Sequence, residues 1–190
     1  MLIIKGNNKL SGVVKVSGSK NAALPIIWAS LLLAGKVKLN NVPKIGDVKT
    51  FLDILENIWV VYSWEENTLF LDATNLNNDN LNFEKIKKIR SSIFLLSPLL
   101  YFFKSINIPF PGGCKIWKRP IDAHLNWLKA IWYDYELDWD NIKLNWETQS
   151  GDKILNAWFW VSSTENLIVA NVLRNGKTTI KNSAIEPHVM

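Results

Sequence analysis

The sequence predicts an α/β fold assembled from a recurring strand–helix–strand–helix–hairpin (βαβαββ) unit, and two internal similarities carry that prediction. In the first, Leu55-Glu56-Asn57-Ile58-Trp59 matches Leu128-Lys129-Ala130-Ile131-Trp132. Each ends a helical stretch. Each is followed by a strand, a turn holding Trp64 or Trp139, and a second strand (Leu69-Phe70-Leu71 or Ile142-Lys143-Leu144). In the second, Val16-Ser17-Gly18-Ser19-Lys20-Asn21 matches Val161-Ser162-Ser163-Thr164-Glu165-Asn166. Each of these opens a helix that ends at Gly-Lys (Gly35-Lys36, Gly176-Lys177), and a strand then reaches Asn41 or Asn182. From Asn to Gly the first copy spans 14 positions and the other 10. The difference is about one helical turn, so the helix face is kept.

The elements follow in order. The first unit covers roughly residues 1–75. Its apolar run from Ala22 to Ala34 contains Pro25 and is too short to span a bilayer, so it reads as a buried helix. Phe51 to Ile58 reads as the second helix, and Trp59 then stands at the C′ position, where positive φ calls for glycine. The second unit runs from about 76 to 146, with helices near Phe83–Ser92 and Ile121–Ala130. The third starts near 147 and stops after its first helix and strand. Glu186-Pro187-His188-Val189-Met190 stands where the first unit has Val42-Pro43-Lys44-Ile45-Gly46, which continues into a helix. The chain reads as cut in mid-unit.

Composition narrows the function classes. Hydrophobic content of 48% supports a real core. The net charge of +5 fits an anionic ligand, a nucleic acid or simply a lysine-rich surface, and no Lys/Arg run reaches the length of a basic arm. Met1-Leu2-Ile3-Ile4 is followed at once by Lys5-Gly6, which is no signal peptide. With a single free thiol, that points to the cytoplasm. One cysteine and two histidines offer no metal-ligand spacing, and no Walker loop or GxGxxG occurs. No cofactor or metal is expected.

Four places hold residues suited to chemistry. Ser17-Gly18-Ser19 precedes a helix, so Lys20 and Asn21 sit where free N–H groups and the dipole favour an anion. Lys20 there either holds a phosphate or is a solvated lysine beside an ordinary cap. Arg90 is one of only three arginines against nineteen lysines, which hints at a need for its bidentate fork; a helix-end charge is the alternative. Pro111-Gly112-Gly113-Cys114 sets the lone thiol in a loop free to approach a ligand. Lys115, Lys118 and Arg119 could lower its pKa for acid or nucleophilic work, or it is a small buried hydrophobe. Arg119-Pro120-Ile121-Asp122-Ala123-His124 packs a cation, an anion and an imidazole into six positions.

Taken together these segments resemble the enolpyruvyl transferases, and within them the family acting on UDP-N-acetylglucosamine. The resemblance lies in Gly18-Ser19-Lys20-Asn21-Ala22-Ala23-Leu24-Pro25, Asn41-Val42-Pro43, Arg90-Ser91-Ser92-Ile93, Pro111-Gly112-Gly113-Cys114, Arg119–His124, Thr164-Glu165-Asn166 and Glu186-Pro187, in family order along the whole chain. It implies two domains, each an inside-out α/β barrel of three βαβαββ units. Residues 1–20 would be opening strands of one discontinuous domain, and 21–190 an incomplete second domain. It also implies transfer of the enolpyruvyl group of phosphoenolpyruvate to the 3′-hydroxyl of UDP-N-acetylglucosamine, an early step of peptidoglycan synthesis. Cys114 would be the mobile-loop acid that fosfomycin alkylates. Lys20, Arg90 and Arg119 would hold phosphoenolpyruvate. Asn21, the Arg119–His124 segment (Arg119, Pro120, Ile121, Asp122 and His124), the loop at Trp160, Val161 and Ser162, and Glu186 would contact the sugar nucleotide. The partners expected are these two small molecules, with no nucleic acid or membrane and a monomer at full length. The family's aspartate base lies beyond residue 190, so the chain alone is expected to be inactive. The shikimate-pathway sister enzyme shares the fold but as a rule lacks the Pro-Gly-Gly-Cys loop. A basic nucleic-acid-binding module on the same fold and a degenerate binding paralogue are the remaining alternatives.

The ten tryptophans are several times normal usage. Trp59, Trp117, Trp127, Trp132 and Trp139 stand where the resembled family has glycine. A gene that reads UGA as glycine, translated with a table that reads UGA as tryptophan, produces this pattern, and the codons test it.

Overall fold

Ala23, Leu24, Ile27 and Trp28 recur at helical spacing and form the buried face of α1 (Lys20–Ser30), which a 3-10 turn over Leu31–Leu33 extends. This computed structural model describes residues 2–79, 83–112, 121–131, 133–138, 141–146 and 150–190. The other helices are α2 (Gly46–Glu56), α3 (Phe83–Ile86), α4 (Leu96–Phe103), α5 (Asp122–Ala130) and α6 (Val161–Asn171). A 3-10 segment, Arg90–Leu95, leads directly into α4. The strands are β1 (Lys36–Leu39), β2 (Val61–Glu65), β3 (Thr68–Asp72), β4 (Ser105–Pro109), β5 (Tyr133–Asp138), β6 (Asn141–Trp146), β7 (Lys153–Asn156) and β8 (Thr178–Lys181).

The repeats are visible in the sheets. The first unit makes a three-stranded sheet of order β1-β3-β2 and the second makes one of order β4-β6-β5, antiparallel throughout. In each, a strand crosses by a helix to a hairpin, and the hairpin's second strand inserts in the middle. The registers correspond: Lys36 faces Asp72 at one end of the first sheet, and Ser105 faces Asn145 at one end of the second. The third unit contributes β7 parallel to β8, joined by α6 as a βαβ crossover. Asn41 and Asn182, matched from sequence, both end their strands at positive φ, 56° and 51°.

Helices α1, α4 and α6 sit inside, and the sheets lie around them. Nearly every residue of α4 up to Leu100 is buried, whereas β1 and β2 alternate between exposed and half-buried positions. This is the inside-out arrangement expected. The Trp28 ring stacks on Phe94 at 5.1 Å between centroids, locking α1 against the Arg90–Leu95 segment. Trp28 is fully buried, and its indole N–H has no acceptor among the described residues.

Four expectations need correction. Trp64 is not in the hairpin turn but inside β2, paired with Leu69, and the turn is Glu66-Asn67. Residues 2–18 form no strand; Leu2, Ile4, Leu10, Val13 and Val14 are all exposed. An edge of one sheet is stable only against a partner, and this segment has none among the described residues. The helix placed at Phe83–Ser92 is only the short α3; its main helical run lies later, from Arg90 to Phe103. The apolar block Ile93–Leu100, not the charged stretch before it, has the burial to hold a helix. Finally, α6 does not open at the residue matching Lys20. It starts one turn earlier, so that α1 and α6 are both 11 residues long.

Candidate functional site

Helix starts from all three units meet at one cleft of about 960 Å³. Ser19 caps α1, its hydroxyl accepting from the Ala22 amide, and Lys20 is the first helical residue. Gly18 is needed just before it: a Cβ there would lie 1.8 Å from the Asn41 carbonyl oxygen. That contact holds the start of α1 against the loop after β1. Across this loop Lys20 Nζ pairs with Asp47 in the first turn of α2 at 2.9 Å, with both side chains about half exposed. Asn21 lies beside it on the cleft wall.

The second unit brings Arg90, at the head of its 3-10 segment, and His124 from the first turn of α5. Ser92 fixes the segment's entry angle: its hydroxyl lies 2.9 Å from the Ile86 carbonyl and 2.7 Å from that of Ile89. Gly112 is a second close approach, since a Cβ would lie 1.3 Å from the Lys87 carbonyl oxygen. Gly112, just after β4, therefore lies against the backbone just ahead of Arg90, and Ile121 is buried at the start of α5. Cys114, Arg119 and Pro120 themselves lie outside the described residues, as do Trp117, Trp132 and Trp139.

His124 is only 2% exposed. Its Nε2 lies 3.3 Å from Ser162 Oγ and its Nδ1 lies 3.2 Å from Asn166 Nδ2. Burial, with the Arg90 guanidinium nearby, holds its pKa down at about 4, so the ring is neutral at pH 7.

The third unit supplies Trp160, Val161 and Ser162 at the start of α6, then Glu165 one turn in, with Glu186 and His188 from the loop after β8. Thr164 ties these together. Its hydroxyl donates to the Trp160 carbonyl at 3.0 Å and accepts from the Ala184 amide at 2.9 Å. Glu165 is 7% exposed and lies 3.6 Å from His188 Nε2. Burial and the neighbouring Glu186 push its pKa up to about 7.

Of the residues expected from sequence, Lys20, Asn21, Arg90, His124, Trp160, Val161, Ser162 and Glu186 border the cleft. Ile121 and Asp122 do not: Ile121 is buried in the core and Asp122 is exposed at the first turn of α5. Sequence reasoning missed Asp47, Glu165 and His188 as cleft residues. Glu165 could have been found, because it matches Lys20 in the internal repeat. Asp47 and His188 reach the cleft through loop geometry that no spacing reveals. Among the described residues no group of three or more His, Cys, Asp or Glu comes together as a metal site.

Comparison with known proteins agrees with this arrangement. The family model EPSP synthase (3-phosphoshikimate 1-carboxyvinyltransferase) matches residues 4–190. UDP-N-acetylglucosamine 1-carboxyvinyltransferase of Campylobacter jejuni subsp. doylei is 39% identical over 189 residues, covering 100% of this chain and 45% of its own length. The protein of the same name from Cellvibrio japonicus is 37% identical over 190 residues, with 99% and 45% covered. The chain thus spans about half the length of these curated relatives. Among solved structures, the enolpyruvyl transferase NikO from Streptomyces tendae superposes with a TM-score of 0.81 at 17% identity, over 97% of this chain and 44% of its own. EPSP synthase from Acinetobacter baumannii gives 0.71 at 12% identity, over 94% and 42%. A shared fold, a repeat order kept over the whole chain and a cleft at the meeting of three helix starts lead to one conclusion: this chain belongs to the EPSP synthase (3-phosphoshikimate 1-carboxyvinyltransferase) family.

Proposed function

We propose that the protein carrying this chain transfers the enolpyruvyl group of phosphoenolpyruvate to the 3′-hydroxyl of UDP-N-acetylglucosamine, releasing phosphate and supplying peptidoglycan synthesis. One observation carries the reading: Lys20, Asn21, Arg90, His124 and Ser162, distant in sequence, border a single cleft that holds both cations and hydrogen-bonding groups.

Lys20 and Arg90 bind the phosphate and carboxylate of phosphoenolpyruvate, and Lys20 exchanges its Asp47 partner for the ligand as it does so. Fixed cations placed where charge develops stabilise the transition state without reorganising at the moment of reaction. The sugar 3′-oxygen bonds to C2 as its proton passes to a base supplied by the rest of the protein, while Cys114 gives a proton to C3; C2 then expels phosphate as C3 returns a proton, and the double bond reforms. Arg119 joins the clamp. Asn21, Pro120, His124 and the α6 start hold the sugar nucleotide. Residues 1–20 belong with a second domain, and 21–190 form most of the domain described above. The protein works as a cytoplasmic monomer; no helix among the described residues is long and apolar enough to cross a membrane.

The test is phosphate release by the full-length gene product with phosphoenolpyruvate and either UDP-N-acetylglucosamine or shikimate 3-phosphate. Release with the sugar nucleotide alone, and its loss after Cys114 alkylation by fosfomycin, is the expected result. Release only with shikimate 3-phosphate overturns the substrate assignment. The 190-residue chain on its own should turn over neither.

A further inference from the structure

Four side chains from three helices form a polar line through an otherwise apolar core. Ser97 of α4 lies 3.3 Å from the Asn166 carbonyl and 3.4 Å from Asn166 Oδ1. Asn166 Nδ2 faces His124 Nδ1 at 3.2 Å, and His124 Nε2 faces Ser162 Oγ at 3.3 Å. Ser97, Asn166 and His124 are buried, and of the four His124 and Ser162 line the cleft. A buried amide and imidazole in this position need a reason, because a polar group left unpaired in a core is costly.

The line has a direction. Ser97 donates to the oxygen side of Asn166, which leaves the Asn166 amide to donate to Nδ1. An Nδ1 that accepts leaves the proton of the neutral ring on Nε2, which then donates to Ser162 Oγ. With one lone pair taken, Ser162 has its own O–H turned toward the cleft as a donor. We propose that Asn166, backed by Ser97, is a positioning residue that fixes His124 in the Nε2–H form and so presents the Ser162 hydroxyl to the sugar-nucleotide ligand as a hydrogen-bond donor.

This rests on the reaction proposed above, but its first test does not. The full-length protein labelled with ¹⁵N-histidine is read at pH 7, with His124 identified by the signal lost in His124→Gln. A protonated Nε2 and a bare Nδ1 are expected. A proton on Nδ1, or on both nitrogens, overturns the inference. The second test is Asn166→Leu. It should leave the ring in a mixture of tautomers and raise KM for UDP-N-acetylglucosamine roughly tenfold, the loss of about one hydrogen bond. The KM for phosphoenolpyruvate and kcat should stay within about twofold. A single unchanged tautomer, or equal losses in kcat and both KM values, overturns it. If the leucine variant does not fold, Ser97→Ala should give the same shift in smaller size, and the wild-type tautomer still decides. The expected tautomer in a protein that binds no UDP-N-acetylglucosamine would uphold the positioning role and sink the reaction assignment instead.

Discussion

Helices α1 and α6 are related by the internal repeat, yet they present opposite charges to the same cleft. In the first unit Lys20 opens the helix and pairs with Asp47 at 2.9 Å in a half-exposed position. In the third, the matching residue is Glu165, set one turn inside its helix, nearly buried and 3.6 Å from His188. The same backbone device, a helix start pinned to an Asn-ended strand, thus serves two electrostatic ends. Where the helix begins decides how wet the charge is. At the first helical residue the cation stays in solvent and can exchange its partner for a ligand. One turn further in, the carboxyl loses water and its proton binding tightens. A repeat supplies a scaffold twice, and a shift of one turn changes what it can do.

The largest effect should come from removing the cationic end. Lys20→Met in the full-length protein should lower phosphate release by about 10²–10³, as loss of a preorganised charge stabiliser does. A fall of less than about tenfold would break the contrast between the two helix starts. The contacts that pin those starts come next. Gly18→Ala forces a methyl into the Asn41 carbonyl and should cost about 2–3 kcal/mol in denaturant unfolding. Thr164→Val removes the acceptor of the Ala184 amide and should cost about 1–2 kcal/mol. Equal costs would mean that both starts are held in the same way.

The pH dependence sharpens the same comparison. His124 has its pKa lowered to about 4, so the unfolded chain binds more protons than the folded one between about 4 and 6.5, and this group makes stability rise with pH there. Glu165 has its pKa raised to about 7, so the folded state binds more protons between about 4.5 and 7, and this group makes stability fall with rising pH. The two nearly cancel where they overlap. Glu165→Gln should therefore uncover a stability that climbs from pH 4 to 6.5, measured by unfolding at each pH with Arg90, Glu186 and His188 left in place. A flat profile in that variant would remove His124 from the account, and a profile unchanged from the wild type would remove Glu165. The smallest effect is expected at Trp59, which stands at φ 68° and is 55% exposed. Trp59→Gly should stabilise by about 1 kcal/mol, since only glycine adopts that region freely. The codon should read UGA at Trp59, while Trp28, stacked on Phe94, should read UGG.

Much of this was legible beforehand for physical reasons. The helix before Trp59 and the strand after it make it a glycine position, and its φ is positive. The Asn41–Asn182 match holds in the fold, where both residues follow their strands with the same left-handed backbone. Lys20, Arg90 and His124 were singled out from cap position, arginine scarcity and clustering, and they share one cleft. Other features were not legible. The start of α6 depends on Thr164 finding Trp160 and Ala184, and α4 takes its place from the burial of Ile93–Leu100 rather than from local charge. The strands that the resemblance implies before residue 20 are absent for a related reason: a strand needs something to pair with, and residues 2–18 have no such partner among the described residues.

Local chemistry set the repeat, the caps, the glycine-demanding turns and most of the cleft's residue types, because these depend on neighbours within a turn or a hairpin. Packing settled the charge states and partners. Glu165 keeps its proton up to about pH 7 because burial strips it of water and Glu186 lies near, and His124 stays neutral because burial, and then the Arg90 guanidinium, disfavours the charged ring. Desolvation and long-range charge are properties of the assembled core, and no stretch of sequence carries them alone.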